Sequence, residues 1–154
     1  MQNQSSIVLS NETESREFWR SFLKTLPKKS PCLFLFIGDV GAGKTTSLRW
    51  ILESLGGDEK TAFSPTFSLH HRYSLPAGSD FDFINHFDLY RIQSEEELEG
   101  TGFWDHFDLK GSSLTVVEWA QRVSQDHWPL GFLIFRFEFQ ILDSGARKIL
   151  WEKI

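Results

Sequence analysis

The sequence predicts a layered α/β fold: a mixed, mostly parallel central sheet with antiparallel edge strands and flanking helices. Three observations predict it. An unbroken apolar run, Cys32–Ile37, has strand length and stops at a glycine-rich loop followed by a helical pattern. A second apolar, β-branched run, 114–117, ends on Glu118. The tail, 131–151, alternates and turns once, as an antiparallel hairpin does. The 154 residues are enough for one domain spanning 1–154 with a three-layer core.

Each element has its own signal. Ser10 or Asn11 is a helix cap, with Glu14 three residues beyond Asn11 in the capping-box position. Phe18, Trp19, Phe22, Leu23 and Leu26 then recur at helical spacing, and Pro27 and Pro31 bracket the turn that ends the helix. After the central strand a second helix is expected over 44–55, burying Leu48, Ile51, Leu52 and Leu55 and stopped by Gly56-Gly57. Phe67, Leu69, His71 and Tyr73 alternate as a strand or extended loop. The run 81–87 is a strand delivering Asp88 at its far end. Ser94 and Glu97 look like the start of a short helix continuing toward Phe107, and 122–128 like another. In the tail, Phe135, Phe137 and Phe139 alternate with Arg136 and Glu138, the mark of a sheet with one wetter face.

Composition excludes several classes. Apolar residues make up 40 % and charged residues 24 %, a globular balance, and no run is long enough for a membrane span. The formal net charge of −5 argues against broad binding to nucleic acid or a membrane surface. The polar, uncharged start resembles neither a signal nor a transit peptide, so a cytoplasmic protein is expected. Cys32 is the only cysteine and reads as a buried strand residue. With 6 Trp in a small chain, one or two exposed indoles are expected. The five histidines lack a zinc-like pattern; His86, two before Asp88, shares its side of the strand, with a structural role as the default.

The most informative segment is Gly38-Asp39-Val40-Gly41-Ala42-Gly43-Lys44-Thr45, which matches the phosphate-loop pattern at every defined position. Its glycines allow successive amide N–H groups to wrap an anion, and the helix that follows adds its own free N–H groups and positive end. Lys44 is placed to reach β and γ phosphates, Thr45 to give its hydroxyl to Mg²⁺, and Thr46 to support the loop or touch the α phosphate. Asp88 and Glu118, each ending an apolar strand, are the candidate acids. Asp88 is assigned to metal support, and Glu118 helps hold the metal or orients the attacking water. Thr66, after Ser64-Pro65, is either a switch hydroxyl or an ordinary turn residue. These features define a P-loop NTPase-like fold. Guanine specificity would call for Asn-Lys-x-Asp, and the nearest segment, Asn85-His86-Phe87-Asp88, lacks the lysine, so ATP is favoured. The competing readings are a small-molecule kinase, for which the scattered arginines offer no lid, and a nucleotide-controlled binding switch with negligible hydrolysis.

The combination resembles the TsaE family, also called YjeE, of small bacterial ATPases. The residues that carry it are Gly38 through Thr46, Ser64-Pro65-Thr66-Phe67, His86-Phe87-Asp88-Leu89-Tyr90-Arg91, Glu97-Leu98-Glu99 and Val117-Glu118-Trp119. The match covers roughly residues 14 to 122. The resemblance implies Mg²⁺-dependent ATP hydrolysis supporting threonylcarbamoyladenosine formation at position 37 (t6A37) of tRNAs reading codons that begin with A. It implies TsaD-like and TsaB-like protein partners, with the threonylcarbamoyl transfer itself done elsewhere. It further implies that Lys44 binds phosphate, that Thr45 and Asp88 serve the metal, that Thr66 sits in a switch-like loop, that Glu118 acts near the γ phosphate, and that Trp119 lies beside the site. The entry to the central strand and the stretch 71–80 look longer than is usual in the family.

Overall fold

The structure, a computed structural model, describes residues 3–62, 68–107 and 111–154. Ser64, Pro65 and Thr66, and with them the expectation of a switch hydroxyl, lie outside the described residues. Seven strands form one sheet: β1 (Ser5–Leu9), β2 (Cys32–Ile37), β3 (His70–Ser74), β4 (Phe83–Asp88), β5 (Ser113–Glu118), β6 (Leu133–Ile141) and β7 (Arg147–Lys153), in the order β1-β7-β6-β2-β5-β4-β3. The four central strands, β6, β2, β5 and β4, are parallel, and β3, β7 and β1 pair antiparallel at the edges. This is the expected mixed sheet, and a P-loop NTPase-like three-layer fold.

Helices α1 (Glu12–Lys24) and α2 (Lys44–Ser54) share one face of the sheet. The Asn11 side chain accepts from the Glu14 amide at 2.9 Å and the Glu14 carboxylate accepts from the Ser10 amide at 2.7 Å, so both candidate cap residues take part in starting α1. Trp19, fully buried, meets Phe137 and Phe36 at ring-centroid distances of 5.0 and 5.7 Å, joining α1 to β2 and β6. On the opposite face Leu33, Leu35, Phe87 and Val117 are covered by Leu98, Phe103, Phe107 and Trp128 from loops and short 3₁₀ turns. Central strands covered on both faces account for the continuous apolar runs. Cys32 is fully buried in β2, and burial pushes its thiol up to about 12.

Four expectations are corrected. The stretch from Ser94 toward Phe107 is not one helix but two 3₁₀ turns, Glu95–Leu98 and Phe103–His106. Gly102, at φ 76°, takes the chain out of helical geometry between them. The segment 122–128 is not one helix: Arg122 ends the 3₁₀ turn Ala120–Arg122, and Gln125–His127 forms another. The polar start hides strand β1, whose five residues pair with β7 from Ser5↔Trp151 to Leu9↔Arg147. No tryptophan is exposed: Trp19, Trp50 and Trp128 are buried, and Trp104, Trp119 and Trp151 half-buried. Among the described Phe, Trp and Tyr residues the exposed ring is Tyr90.

Candidate functional site

The carboxyl ends of β2, β5 and β4 meet at one edge of the sheet, with Phe36 opposite Glu118 and Glu118 opposite Asp88. In open α/β sheets, ligands bind in the crevice outside such ends. Here a cleft of about 580 Å³ opens, within the range of small-molecule sites. Val40, Gly41, Ala42, Gly43, Lys44, Thr45 and Thr46 line it together with Asp88, Glu118 and Trp119. Thr45 and Glu118, 73 positions apart in sequence, are thus brought to one place, and the predicted set outside Gly38, Asp39 and Thr66 lines the cleft. Gly38 and Asp39 form the root of the loop, where their carbonyls accept from the Lys44 ammonium, the Asp39 bond at 2.8 Å.

The loop is shaped by its backbone. Gly41 and Gly43 have φ of 79° and 108°, and a Cβ at either would meet no protein atom within 4 Å, so backbone angle and not packing requires glycine there. Gly38 is different: a Cβ would stand 2.7 Å from the Phe139 carbonyl oxygen of β6. Gly43 caps α2 with no side chain bonded to the helix start, which leaves amides at the helix mouth available to an anion. Burial pushes the Lys44 ammonium down, against the pull of Glu118, Asp88 and Asp39.

The carboxylates differ in setting. Glu118 is 2 % exposed, and one of its oxygens, Oε1, accepts from the Thr45 hydroxyl at 2.8 Å and lies 2.9 Å from His86 Nε2. A buried carboxylate needs such partners to offset its desolvation. Asp88 is half-buried, and its Oδ1 accepts from the Tyr90 amide at 3.0 Å. Trp119, immediately after Glu118, has φ 58° and ψ 39°, a left-handed conformation that costs a non-glycine residue about 1–3 kcal/mol. The turn brings its ring to 4.8 Å from the Lys44 ammonium and 5.4 Å from the Arg122 guanidinium, with Tyr90 at 5.2 Å.

A hard cation fits this donor set. The Thr45 hydroxyl and the Glu118 and Asp88 carboxylates all supply oxygen, the atom Mg²⁺ prefers. Among the described residues no three His, Cys, Asp or Glu side chains gather as an all-protein metal cage. Mg²⁺ ordinarily uses one or two carboxylates and takes its remaining ligands from phosphates and water.

A comparison with protein families matches residues 9–149 to the family model described as "Threonylcarbamoyl adenosine biosynthesis protein TsaE". The chain belongs to the TsaE family. It is therefore a member of a family of threonylcarbamoyladenosine biosynthesis and a P-loop NTP hydrolase. The match extends beyond the residues that carry the resemblance in sequence, taking in β1's last residue and the start of β7. Among relatives, the tRNA threonylcarbamoyladenosine biosynthesis protein TsaE of Rickettsia typhi is 32 % identical over 140 residues, covering 91 % of this chain and 89 % of its own. The protein of the same name from Rickettsia bellii is 35 % identical over 117 residues, covering 76 % and 75 %. That from Borreliella burgdorferi is 34 % identical, covering 88 % and 90 %. The crystal structure of Bacillus subtilis YdiB superimposes with a TM-score of 0.69 at 20 % identity, covering 100 % of this chain and 88 % of that one, a likeness of fold.

Two contributors to this TsaE-family cleft were not singled out from sequence. Arg147, at the start of β7, donates to the Gly41 carbonyl at 3.3 Å and lines the cleft from the far side. The beginning of α1, with Ser10, Asn11 and Ser15, forms another wall. Both arrive through the pairing of β1 with β7, which no local pattern announces. Among the described residues no helix is long and apolar enough to cross a membrane.

Proposed function

We propose that this chain, as a single domain over residues 1–154, binds ATP with Mg²⁺ in the cleft and hydrolyses it, supporting t6A37 formation in tRNA as the cytoplasmic partner of TsaD-like and TsaB-like proteins. The observation that carries the reading is the meeting of Thr45 and Glu118 at 2.8 Å beside Lys44, in a member of the TsaE family.

The loop amides of residues 38–45 and the start of α2 hold the phosphates, and Lys44 exchanges its bonds to the Gly38 and Asp39 carbonyls for β- and γ-phosphate oxygens. Thr46 stands on the exposed side of the helix start, within reach of the α phosphate. Thr45 and Asp88 would hold the metal, with Glu118 either a further support or the group that orients the attacking water. When bound, Mg²⁺ would neutralise charge developing on the phosphate oxygens. In the second of its two roles Glu118 accepts a hydrogen bond from the in-line water, and in both Lys44 stabilises the transferring group. Trp119 bounds the γ-phosphate side of the cleft.

Arg147 is engaged with Gly41 and Arg122 with Trp119, so neither is free-standing as a finger for the γ phosphate. Turnover of the isolated chain should accordingly be slow and rise when partners complete the site, by roughly 10³-fold or more in comparable chemistry. The net charge of −5 favours an indirect contact with tRNA over a direct one. The test is phosphate release by the full chain, alone and with TsaD-like and TsaB-like partners, alongside modification of tRNA. Multiple-turnover release that rises with the partners and parallels modification is expected. A phosphorylated small-molecule acceptor, or nucleotide-controlled association without turnover, would replace this reading.

A further inference from the structure

We propose that His86 is a positioning residue for Glu118, and that Tyr73, His86, Glu118 and Thr45 form one aligned row beneath the cleft. The proposal rests on the reading of Glu118 as a working group of the nucleotide site.

The row follows from strand register. Tyr73 of β3 lies opposite Ile84 of β4, His86 opposite Val116 of β5, and Asp88 opposite Glu118. Side chains alternate along a strand, so Tyr73, Ile84, His86, Val116 and Glu118 share the face covered by α2. Along that face polar groups replace apolar ones only toward the cleft. His86 is fully buried, and its Nε2 lies 2.9 Å from Glu118 Oε1. Its Nδ1 lies 3.4 Å from the Tyr73 hydroxyl. One tautomer satisfies both contacts: Nε2–H donates to the carboxylate, and Nδ1 accepts from Tyr73.

The geometry gives His86 a specific task. Glu118 has its other described partner in Thr45, whose hydroxyl donates to the same oxygen. A hydroxyl that ligated a metal through its oxygen could keep donating its proton to Glu118, but its position would then follow the ligand. An imidazole buried in the sheet does not follow the ligand, so it holds Oε1 in place wherever Thr45 stands. This is the arrangement in which an outer hydrogen bond fixes the orientation of a working carboxylate, and loss of such a partner commonly costs about 10- to 100-fold in activity. A purely apolar residue at position 86 would satisfy the core and leave Glu118 with Thr45, on the wall of the cleft, as its described donor.

The test uses the full chain. His86→Phe should lower kcat for ATP hydrolysis about 10- to 100-fold, with KM for Mg·ATP within about threefold, because the nucleotide cradle is untouched. His86→Gln, whose amide nitrogen can donate from a similar place, should recover most of the lost turnover. In a Glu118→Gln background, His86→Phe should cost little more. Nitrogen-15 spectra of the wild-type imidazole should show the proton on Nε2, with its resonance displaced by Glu118→Gln. Full turnover in His86→Phe, an equal loss in both backgrounds, or a proton on Nδ1 would each overturn the proposal. A large loss in Glu118→Gln without one in His86→Phe also overturns it while leaving the ATPase reading intact. If the wild-type chain releases no phosphate, that reading fails, and the tautomer decides the positioning proposal by itself.

Discussion

The phosphate loop and the carboxylate edge face each other across one cleft, yet they are held in opposite ways. The loop is held by its own backbone: the Ala42 amide bonds the Asp39 carbonyl, Lys44 bonds the carbonyls of Gly38 and Asp39, and Asp39, Val40 and Gly41 are exposed. The carboxylate edge is held by side chains from distant parts of the chain, with Glu118 meeting His86 across 32 residues and Thr45 across 73. One side can rearrange its contacts around an anion at little cost to the core. The other is built into the core, so it can place an oxygen but not follow a moving ligand. The difference teaches which side should bind and which should catalyse.

Substitutions on each side sharpen that division. The largest effect is expected for Glu118→Gln, which keeps volume and removes the charge. Turnover should fall about 10²-fold or more, the usual worth of a positioned acid–base group, while nucleotide affinity measured by calorimetry stays within a few-fold. A comparable loss of affinity would show that the two sides do not divide the work. Lys44→Ala comes next, with nucleotide affinity falling about 10- to 100-fold for the loss of a charge-assisted contact and the fold retained by circular dichroism. Smallest is Gly38→Ala, where the new Cβ would stand 2.7 Å from the Phe139 carbonyl oxygen. It should cost about 1–3 kcal/mol of stability through overpacking, read as a fall of roughly 3–10 °C in thermal midpoint. An unchanged midpoint would mean that β6 does not brace the root of the loop.

The same contrast explains what could be read from residues alone. The loop side was legible because its demands are local: glycines, a lysine and a hydroxyl in fixed order between an apolar strand and an amphipathic helix. Strand β2 matches its apolar run residue for residue. Asp88 and Glu118 were also legible, as polar stops to apolar runs. What was not legible depends on register and on edges. His86 could be placed on the side of Asp88 by alternation, but its bond to Glu118 needs the pairing of β4 with β5. Strand β1 is short and half polar, and it becomes a strand by borrowing hydrogen bonds from β7. The 3₁₀ turns after β4 carry helical caps and spacing, but Gly102 interrupts them before a helix can propagate. Arg147 reaches the loop only through the hairpin, across 106 residues.

That outer pairing also sets an order of events during synthesis. A ribosome delivers Ser5–Leu9 early and its partner, Arg147–Lys153, about 140 residues later. Contacts of such long sequence separation form slowly, after the local ones are in place. The nascent parallel core must wait with one flank of its sheet uncovered until the last strand emerges, and the wall of the cleft carried by α1 and Arg147 is therefore completed last.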